Sequence, residues 1–455
     1  MNCRVFLVGL PVLLLWAILR AQGADPLASI KFDPATIVGT QGFFRVGQST
    51  AGRWWFIDPD GKPFFYRGVT SINRAGLKGG RRAVEGPYAG TVDRKYAYRT
   101  SPDAFVQSVF RRLGQWKFNA LGAWATEEFF DKGLPYTEIL EFARVEPSIR
   151  IQGLMWLPDV YDPAWTKAAD QWAARICAPR RNSKLLVGYF TDNEMGWAQV
   201  NEEDIAAQGD PTKPLVSVRP SLLQICLGLE PSRAAHQAAR DLALKKHNNN
   251  LAAALRDWGV RGTDLGAVKR MTDAGQAITS KAYLADQIEF SRDFARRYFQ
   301  QTAQAIRRHD PNHLVLGCRF GGPPGPVVLE ECKRPWVDVI SANNYRENFR
   351  ERMDIYHRPN KMPVLNGEFA WYSGTFVSQG RPDVPRMLQR GQASLEKAIA
   401  HPALVGYTWY RWVSHEHAPG KIGDGLVNTD DTDEVHVKTL TQINARADAI
   451  AAGAR

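Results

Sequence analysis

The chain is predicted to fold as an α/β protein: a (β/α)8 TIM barrel with a short N-terminal β-strip before it and a helical insertion after its fourth strand. Two observations predict this. Short apolar runs alternate with helical stretches along most of the 455 residues, which is the pattern of βα units around a parallel sheet. Eight such runs can be counted, and eight parallel strands with intervening helices close most naturally into a barrel.

The first 23 residues are predicted to be a secretory signal peptide. Arg4 gives a basic start, the apolar run Val5–Leu19 is too short to span a bilayer comfortably, and small residues at 21–23 suit cleavage. An uncleaved N-terminal anchor is the alternative. The protein is therefore expected to be secreted or periplasmic, with no membrane contact once the signal is removed.

Four cysteines remain after such a cleavage, at positions 177, 226, 318 and 332. An even number in an oxidising compartment permits disulfides, and a bond between Cys318 and Cys332 would close a loop rich in glycine and proline. Free buried thiols are the alternative, and the sequence leaves both open.

The chain carries a formal charge of +11, which favours an acidic polymer as partner only weakly. Basic pairs such as Arg111-Arg112 and Lys245-Lys246 are scattered along helical stretches, as solvated faces would be. No nucleic-acid motif accompanies them, so nucleic acid is not expected as a partner.

Residues 24–63 are predicted to be a β-strip packed on the barrel. Phe43–Val46 and Arg53–Ile57 read as strands, and the sequence DPDG at 58–61 fits a type I turn that leads into the next strand. The barrel is assigned to residues 64–455.

Apolar runs bounded by turn signals predict eight barrel strands: Phe64–Val69, Ala120–Ala123, Arg150–Met155, Leu185–Phe190, Leu314–Gly317, Val337–Ser341, Pro363–Leu365 and Leu404–Thr408. Helical periodicity lies between most of them, at Ser101–Leu113, Ala282–Arg308 and Val384–Ala400. The connection after the fourth strand, at about 198–281, is far longer than a simple loop. Because it contains helical stretches at Ser232–Lys246 and Leu251–Trp258, an embedded helical subdomain is predicted there.

Two acidic residues stand at matching places, each after an apolar run and before an aromatic residue. Glu194 ends the sequence LLVGYFTDNE, and Glu368 ends MPVLNGE. In a barrel, catalytic residues gather at the carboxyl ends of the strands. A retaining glycosidase needs two carboxyl groups there, an acid/base and a nucleophile about 5 to 5.5 Å apart. Each residue alone is as well explained by a helix cap or an ion pair, but the joint pattern favours catalysis.

Polar and aromatic side chains follow the other predicted strands. Flat sugar faces stack on indole rings, while hydroxyl groups take fixed hydrogen bonds from amides, arginine and tyrosine. The pattern predicts a polysaccharide or oligosaccharide partner and these binding residues: Asn193, Tyr345, Trp409, Arg319, Asn344, Trp371, Trp124 and Trp197. Most of the fourteen tryptophans are expected to fill the core instead.

Five segments carry a resemblance to a known family: WKFNALGAW at 116–124, VGYFTDNEMGW at 187–197, DPNHLVLGCRF at 310–320, VDVISANNY at 337–345 and GYTWYRW at 406–412. With them, the chain resembles the clan A glycoside hydrolases, most of all the family 50 β-agarases and more weakly the family 42 β-galactosidases. The likeness runs from about Phe64 to near the C-terminus.

The resemblance implies hydrolysis of β-linked galactose-type polysaccharide or oligosaccharide by double displacement. Glu368 would attack the anomeric carbon, and Glu194 would protonate the leaving oxygen and then activate water. Asn193 would hold the sugar 2-hydroxyl, Tyr345 would orient Glu368, and Trp409 would form the platform under the sugar before the scissile bond.

Three alternatives accompany this hypothesis. The chain would be a non-catalytic carbohydrate-binding barrel, or a β-galactosidase or β-glucanase of the same clan. A metal hydrolase built on His415, Glu416 and His417 would need a further ligand, and the sequence has no HExxH helix. No metal and no cofactor are therefore expected, and the sequence does not fix the sugar, the linkage or the oligomeric state.

Overall fold

The computed structural model describes residues 25–77, 86–150, 156–199, 205–206, 218–371, 383–415 and 423–453. The predicted signal peptide at 1–23 lies outside these residues. Within the described ranges, no helix combines the length and the apolar character that a bilayer crossing requires.

The N-terminal strip is a three-stranded antiparallel sheet of β1 (Arg45–Gln48), β2 (Trp54–Ile57) and β3 (Pro63–Phe64). The predicted turn is present, because the Gly61 amide donates to the Asp58 carbonyl over 2.9 Å. A positive φ of 87° at Gly61 explains the glycine there. The Trp54 amide donates to the Pro402 carbonyl over 2.8 Å, which ties the strip to the start of the last strand.

A parallel sheet of nine strands forms the centre of the fold. In chain order, the strands after the N-terminal strip are β4 (Tyr66–Val69), β5 (Ala120–Leu121), β6 (Tyr136–Ile139), β7 (Ser148–Ile149), β8 (Leu157–Pro158), β9 (Leu186–Phe190), β10 (Leu314–Val315), β11 (Arg319–Phe320), β12 (Ile340–Asn343), β13 (Val364–Phe369) and β14 (Leu404–Trp409). The strands β7 and β8 form a separate antiparallel hairpin. The spatial order in the sheet is β10-β9-β6-β5-β4-β14-β13-β12-β11.

The two outermost strands of this sheet belong to one run of the chain, residues 314–320. β10 pairs with β9, and β11 pairs with β12. Between the two, the Thr191 amide donates to the Gly317 carbonyl over 2.9 Å and the Asp338 amide donates to the Val315 carbonyl over 2.8 Å. The sheet therefore curls until both of its edges meet in a single segment, which is compatible with a barrel.

The third position of the sheet is occupied by β6, so the prediction of Arg150–Met155 as the third strand is wrong. β6 lies between β5 and β9, and residues 151–155 of the predicted strand lie outside the described residues. The error has a physical cause. The stretch between β5 and β6 holds a single 3-10 turn, Glu127–Phe129, so the strand–helix alternation on which the prediction relied is interrupted there. The other seven predicted strands overlap strands of the sheet.

The helices in chain order are α1 (Ala89–Tyr96), α2 (Asp103–Gln115), α3 (Pro163–Cys177), α4 (Leu222–Leu227), α5 (Ala234–Lys246), α6 (Leu251–Asp257), α7 (Leu265–Asp273), α8 (Lys281–His309), α9 (Pro326–Glu331), α10 (Phe349–His357), α11 (Val384–Ile399) and α12 (His436–Ala452). The insertion supplies α4 to α7, and both helices predicted inside it are observed as α5 and α6. The long α8 begins at a Ser280 cap that accepts the Tyr283 amide and ends in a basic turn, as a favourable helix does.

Two buried clusters divide the sheet into an inner and an outer face. Successive side chains of a strand point to opposite faces. The inner face carries Tyr66, Ala120, Val187, Leu314, Leu365 and Val405, which share one buried cluster with Phe44, Val46, Trp54 and Phe56 of the N-terminal strip. The outer face packs against the helices in a larger cluster. The strip therefore covers the inner core at the amino ends of the strands and leaves the carboxyl ends for a site.

The four cysteines of the described chain are free and buried. The expected bond between Cys318 and Cys332 is therefore wrong, and the alternative of free buried thiols holds. Burial raises the pKa of both thiols above the ordinary cysteine range.

Candidate active site

Glu194 and Glu368 lie at the same rim of the sheet. Glu368 is the last residue but one of β13, and Glu194 follows the end of β9 by four residues. The strand register places Glu368 opposite Asn343 of β12, and Asn343 Nδ2 donates to Glu194 Oε1 over 2.8 Å. Both glutamates are therefore neighbours of one asparagine at the carboxyl ends of the strands.

Glu194 is held by its backbone in an unusual conformation. Its φ is +49°, a region that few residues other than glycine adopt and that often marks a functional position. Its amide donates to the Arg319 carbonyl over 2.7 Å. A Cβ on Gly321 would lie 2.9 Å from Glu194 Cγ, so a glycine is needed beside this half-buried side chain.

Glu368 is almost completely enclosed and has charged and polar partners. Arg319 Nη2 lies 2.9 Å from Glu368 Oε1, and the two side chains are 0% and 1% exposed. The Tyr345 hydroxyl donates to Glu368 Oε2, which is the contact expected for a residue that orients this carboxylate. A carboxylate this deeply buried requires such partners, because its desolvation is otherwise very costly.

The Arg319 side chain points into the inner face. Its guanidinium lies 4.5 Å above the Trp124 ring and 5.1 Å from the Phe190 ring, and Nη2 donates to the Gly367 carbonyl over 2.6 Å. Arg319 and Trp124 were both predicted to bind substrate. The structure places them against each other in the buried interior beside Glu368, which gives a direct sugar contact no support.

Asn193 and Asn344 lie next to the two glutamates, but in the part of the chain that the structure describes neither side chain is hydrogen-bonded to a glutamate carboxyl group. Asn193 Oδ1 accepts from Asn343 Nδ2 over 3.1 Å, so Asn193 belongs to the cluster around Glu194. The Asn344 backbone amide donates to the Glu368 carbonyl over 2.8 Å, while its side-chain amide donates to the Arg346 carbonyl over 2.9 Å. Asn344 therefore supports the strand that carries Glu368, and its side chain turns to the loop that follows.

Asp192 supports the segment before Glu194. Its Oδ1 accepts the Ala143 amide over 2.8 Å, and its Oδ2 lies 2.8 Å from the Tyr298 hydroxyl. Burial raises the pKa of Asp192 to about 8, against the lowering effect of those two hydrogen bonds. Its contacts are with the scaffold, and they join the strand end to α8.

Three of the four predicted sugar-binding tryptophans lie on the outer face. Trp409 packs edge to face on Trp371 at 5.3 Å and lies 4.9 Å from the His436 ring of α12. Trp371 also covers Gly391 of α11, where a Cβ would collide with its ring. Both indoles are buried between strands and helices, and this placement gives no support to a platform under a sugar.

Trp197 is buried among α8 side chains and stacks on Phe299 at 5.6 Å. Its edge lines a cavity of about 1010 Å³ that begins beside Glu194, at Met195. The other walls come from α8, from residues 322–326 and from the ends of α9 and α10. The cavity is therefore a groove over the short helix α9, on the outer side of the rim.

Asn343 and Tyr410 follow predicted strands at the rim but are not among the residues predicted to bind sugar. Asn343 touches Glu194, whereas its neighbour Asn344 was predicted. Tyr410 packs its ring edge to face on Tyr345 at 6.1 Å, whereas Trp409 was predicted. Burial raises the pKa of Tyr410 to about 12, with Arg411 acting in the opposite direction and the charge of Glu368 adding to the rise. Strand alternation was the signal available for both, because neighbouring residues in a strand face opposite sides.

Within the described ranges, no cluster of three or more His, Cys, Asp or Glu side chains is arranged to hold a metal ion. His415 Nδ1 pairs with Asp424, and its Nε2 accepts from Arg411, so both ring nitrogens already have protein partners. Glu416 and His417, the other members of the metal alternative, lie outside the described residues.

No protein-family model matches the chain. Along 89% of its length the chain is 24% identical to β-agarase A of Vibrio sp. (strain JT0107), and along 86% it is 22% identical to β-agarase B of the same strain. It spans only 44% and 46% of those two proteins, less than half of either. A solved exo-β-agarase shares the fold with a TM-score of 0.71 and 19% identity, covering 92% of this chain and 67% of that one. The chain is thus similar to β-agarases in sequence and in fold.

Proposed function

We propose that this protein is a glycoside hydrolase on a (β/α)8 barrel that cleaves β-linked galactose-type polysaccharide or oligosaccharide, as agarases do, by a retaining double displacement. The similarity to β-agarases supports the substrate class. The observation that carries the proposal is the pair of glutamates at one rim, adjacent to the same asparagine but in different surroundings. Glu194 is half-buried beside an amide, while Glu368 is enclosed with an arginine and a tyrosine.

In the first step, Glu368 is the nucleophile. The Arg319 cation and the Tyr345 hydroxyl stabilise its ionised form and fix its two oxygens. Its carboxylate forms a bond to the anomeric carbon while the bond from that carbon to the leaving oxygen breaks. Glu194 transfers its proton to that oxygen, so that the departing sugar leaves as an alcohol.

In the second step, Glu194 has become a carboxylate and acts as a base. It removes a proton from a water molecule, whose oxygen attacks the anomeric carbon and displaces Glu368. Two inversions at one carbon restore the original configuration. Asn193, held by Asn343 next to Glu194, is proposed to bind the sugar 2-hydroxyl.

The place of action is proposed to be outside the cytoplasm. The N-terminal sequence reads as a secretory signal. A polysaccharide is too large to be taken up intact, so its hydrolysis requires an enzyme on the same side of the membrane.

The test is a panel of agarose, porphyran, β-galactan and β-glucan oligosaccharides, with products identified by mass and the first released anomer by NMR. Agarose-type oligosaccharides are expected to be cut with retention. The variants Glu368→Gln and Glu194→Gln are expected to fold and to lose activity by about 10³-fold or more. The melting temperature of Glu194→Gln is expected to be unchanged, whereas that of Glu368→Gln is expected to fall, because the buried Arg319 cation loses its carboxylate partner. Glu351→Gln, which removes an exposed carboxylate paired with Lys397, is the matched control and is expected to keep full activity.

An aryl glycoside with a good leaving group separates the two roles. Such a leaving group needs little protonation, so Glu194→Gln is expected to retain much more activity on it than on the oligosaccharide, whereas Glu368→Gln loses both. Glycan binding without any release of sugar would favour the non-catalytic barrel. Activity confined to β-glucan or to short galactosides would favour the other enzymes of the clan, and release of the inverted anomer would exclude double displacement.

A further inference from the structure

We propose that Arg319 is a positioning residue for both glutamates: its guanidinium holds Glu368 and its peptide backbone holds Glu194. The inference rests on the proposed function of these two residues. The sequence predicts that Arg319 contacts the sugar, whereas the proposed role is to position the two glutamates. A single residue of β11 would then hold both the nucleophile and the acid/base.

The side chain of Arg319 contacts Glu368 from the buried interior of the sheet. It is 0% exposed, and its Nη2 is engaged by Glu368 and by the Gly367 carbonyl, so its effect on a substrate is exerted through Glu368. The rings of Trp124 and Phe190 enclose the guanidinium, and an arginine stacked on an aromatic face gains attraction that increases when water is excluded. The cation is therefore fixed in place before any substrate binds.

Glycine at position 367 makes room for this arrangement. A Cβ there would lie 2.8 Å from Arg319 Nε and 2.8 Å from Asn343 Oδ1. Within the described chain, Arg319 Nε and Nη1 are buried without a hydrogen-bond partner. The pairing through Nη2 is thus the principal direct compensation for the buried charge, and the two side chains stabilise each other's ionised form.

The backbone of Arg319 acts on the other glutamate. The Arg319 amide donates to the Asp192 carbonyl over 2.9 Å, and the Arg319 carbonyl accepts the Glu194 amide over 2.7 Å. A parallel bridge joins Asn193 to Arg319 at the same point. Arg319 stands where the run 314–320 passes from β9 to β12, so its peptide groups fix the Glu194 segment while its side chain crosses to Glu368.

This role predicts a separation of the kinetic parameters. Arg319 does not contact substrate, so its loss leaves KM nearly unchanged. Its loss leaves the Glu368 carboxylate without the cation that holds it in place, so kcat falls. A merely structural arginine would reduce the amount of folded enzyme and leave the kcat of the folded fraction unchanged.

The experiment compares wild type, Arg319→Lys and Arg319→Met on the oligosaccharide that the wild-type enzyme cleaves. Arg319→Met is expected to lose about 100-fold or more in kcat with KM changed by less than about three-fold. Arg319→Lys keeps a cation and is expected to recover part of that loss. The control is Arg297→Lys, in which an arginine paired with Asp293 on the surface of α8 is replaced without expected effect.

If Arg319→Met folds poorly, a double-mutant cycle of melting temperatures still tests the inference. It compares wild type, Arg319→Met, Glu368→Gln and the double variant. Removing the charge from position 368 is expected to relieve most of the thermal loss caused by Arg319→Met, because no uncompensated carboxylate then remains. Trp124→Leu, which removes the stacking face but keeps the cation, is expected to lower kcat in the same direction by a smaller factor.

The outcomes separate this inference from the proposed function. Absence of hydrolysis by the wild type would remove the proposed function, while the melting cycle would still measure the coupling of positions 319 and 368. If the wild type is active and both glutamate variants are inactive, but Arg319→Met keeps its kcat, the inference about Arg319 alone is overturned. Additive melting losses in the cycle would overturn it as well.

Discussion

Asn343 donates its side-chain amide to Glu194 Oε1 over 2.8 Å. The contact fixes one oxygen of the carboxyl group, which assigns the proposed proton transfer to the other oxygen. The same asparagine stands opposite Glu368 in the strand register, so its position is set by the strand that bears the proposed nucleophile. Glu194, the proposed acid/base, is thereby aligned by Asn343, the residue opposite the proposed nucleophile Glu368.

Asn343→Ala is therefore expected to reduce kcat by about 10- to 100-fold, the usual cost of removing a residue that orients a reactive group, with little change in KM. Steady-state kinetics on the cleaved oligosaccharide measure this, and a melting curve reports the fold. Asn348→Ala, at an exposed position a few residues later, provides the control. Equal losses in both variants would show that Asn343 has no special relation to Glu194.

Trp409 and Tyr410 are predicted to divide structural and substrate-binding roles between them. Trp409 is 0% and Tyr410 is 5% exposed, and strand alternation sends Trp409 to the helices and Tyr410 to the rim. Trp409→Phe is expected to cost about 1 to 3 kcal/mol of stability through the cavity it leaves, with kcat/KM nearly intact. Tyr410→Phe, which removes only the hydroxyl group, is expected to reduce kcat/KM by about 10-fold with a smaller loss of stability.

Urea denaturation and initial rates on the two variants check this pair. Because the two residues are adjacent in the chain, each variant serves as the control for the other. A loss of kcat/KM in Trp409→Phe at unchanged stability would restore the indole as the sugar platform and contradict the assignment to Tyr410.

The fold was predictable from the sequence as far as strands and helices alternate. Seven strands were located because each is a short apolar run next to a helical period. The third strand, Tyr136–Ile139, could not be found in this way because no α-helix separates it from Ala120–Leu121. Its place in the sheet is set by pairing with β5 and β9, which are contacts between distant residues that local periodicity does not encode.

The placement of the two glutamates at one rim was predictable, because each directly follows an apolar strand and the carboxyl ends of parallel strands lie at the same edge of the sheet. The orientation of the tryptophans was not predictable, because an indole next to a strand end can pack on either face of the sheet. The bend after β14 and the packing of α12 decide that Trp409 faces His436 and that Tyr410 faces Tyr345. Arg319 was recognised as part of the site, but its enclosure by Trp124 depends on the curvature of the sheet.

Asp192 is expected to make stability fall as pH rises. Its pKa is about 8 in the folded chain, because of burial, against an ordinary value of 3.8. Between about pH 4 and pH 8 the folded state holds a proton that the unfolded state has lost, so unfolding becomes more favourable by up to about 1.4 kcal/mol per pH unit. Below the lower value both states are protonated and the contribution is fully present.

Asp192→Asn imitates the protonated form at every pH. The difference in unfolding free energy between this variant and wild type is therefore expected to increase in favour of the variant from pH 5 to pH 8 and to level off above. Urea titrations at several pH values measure it. The Tyr298 and Ala143 contacts are of the kind an asparagine can keep, and a difference that does not vary with pH would mean that Asp192 is ionised in the folded state.

Asp431 is expected to make stability fall as pH is lowered, which is opposite to the effect of Asp192. Burial works to raise its pKa, but hydrogen bonds from Lys95, Tyr88 and Tyr96 and the charge of Arg112 outweigh it and hold the pKa below the ordinary value. Its contribution to stability is therefore present above the ordinary value of 3.8 and is lost as pH falls through the lower folded value. The carboxylate joins α1 and α2 to the segment after the last strand, with Arg112 Nη1 at 2.6 Å.

Asp431→Asn is expected to cost about 3 kcal/mol or more at neutral pH, because it removes the buried carboxylate partner of Arg112 and leaves that arginine only the more exposed Asp433. The substitution tolerates the positive φ of 69° at this position. Asp433→Asn is the matched control: its carboxylate lies 2.6 Å from the same Arg112 but is 52% exposed, so about 1 kcal/mol or less is expected. Urea titrations at pH 7 and at about pH 2.5, below the ordinary value of 3.8, should show the cost of Asp431→Asn shrinking in acid. Equal costs for the two variants would show that burial of Asp431 adds nothing to the ion pair.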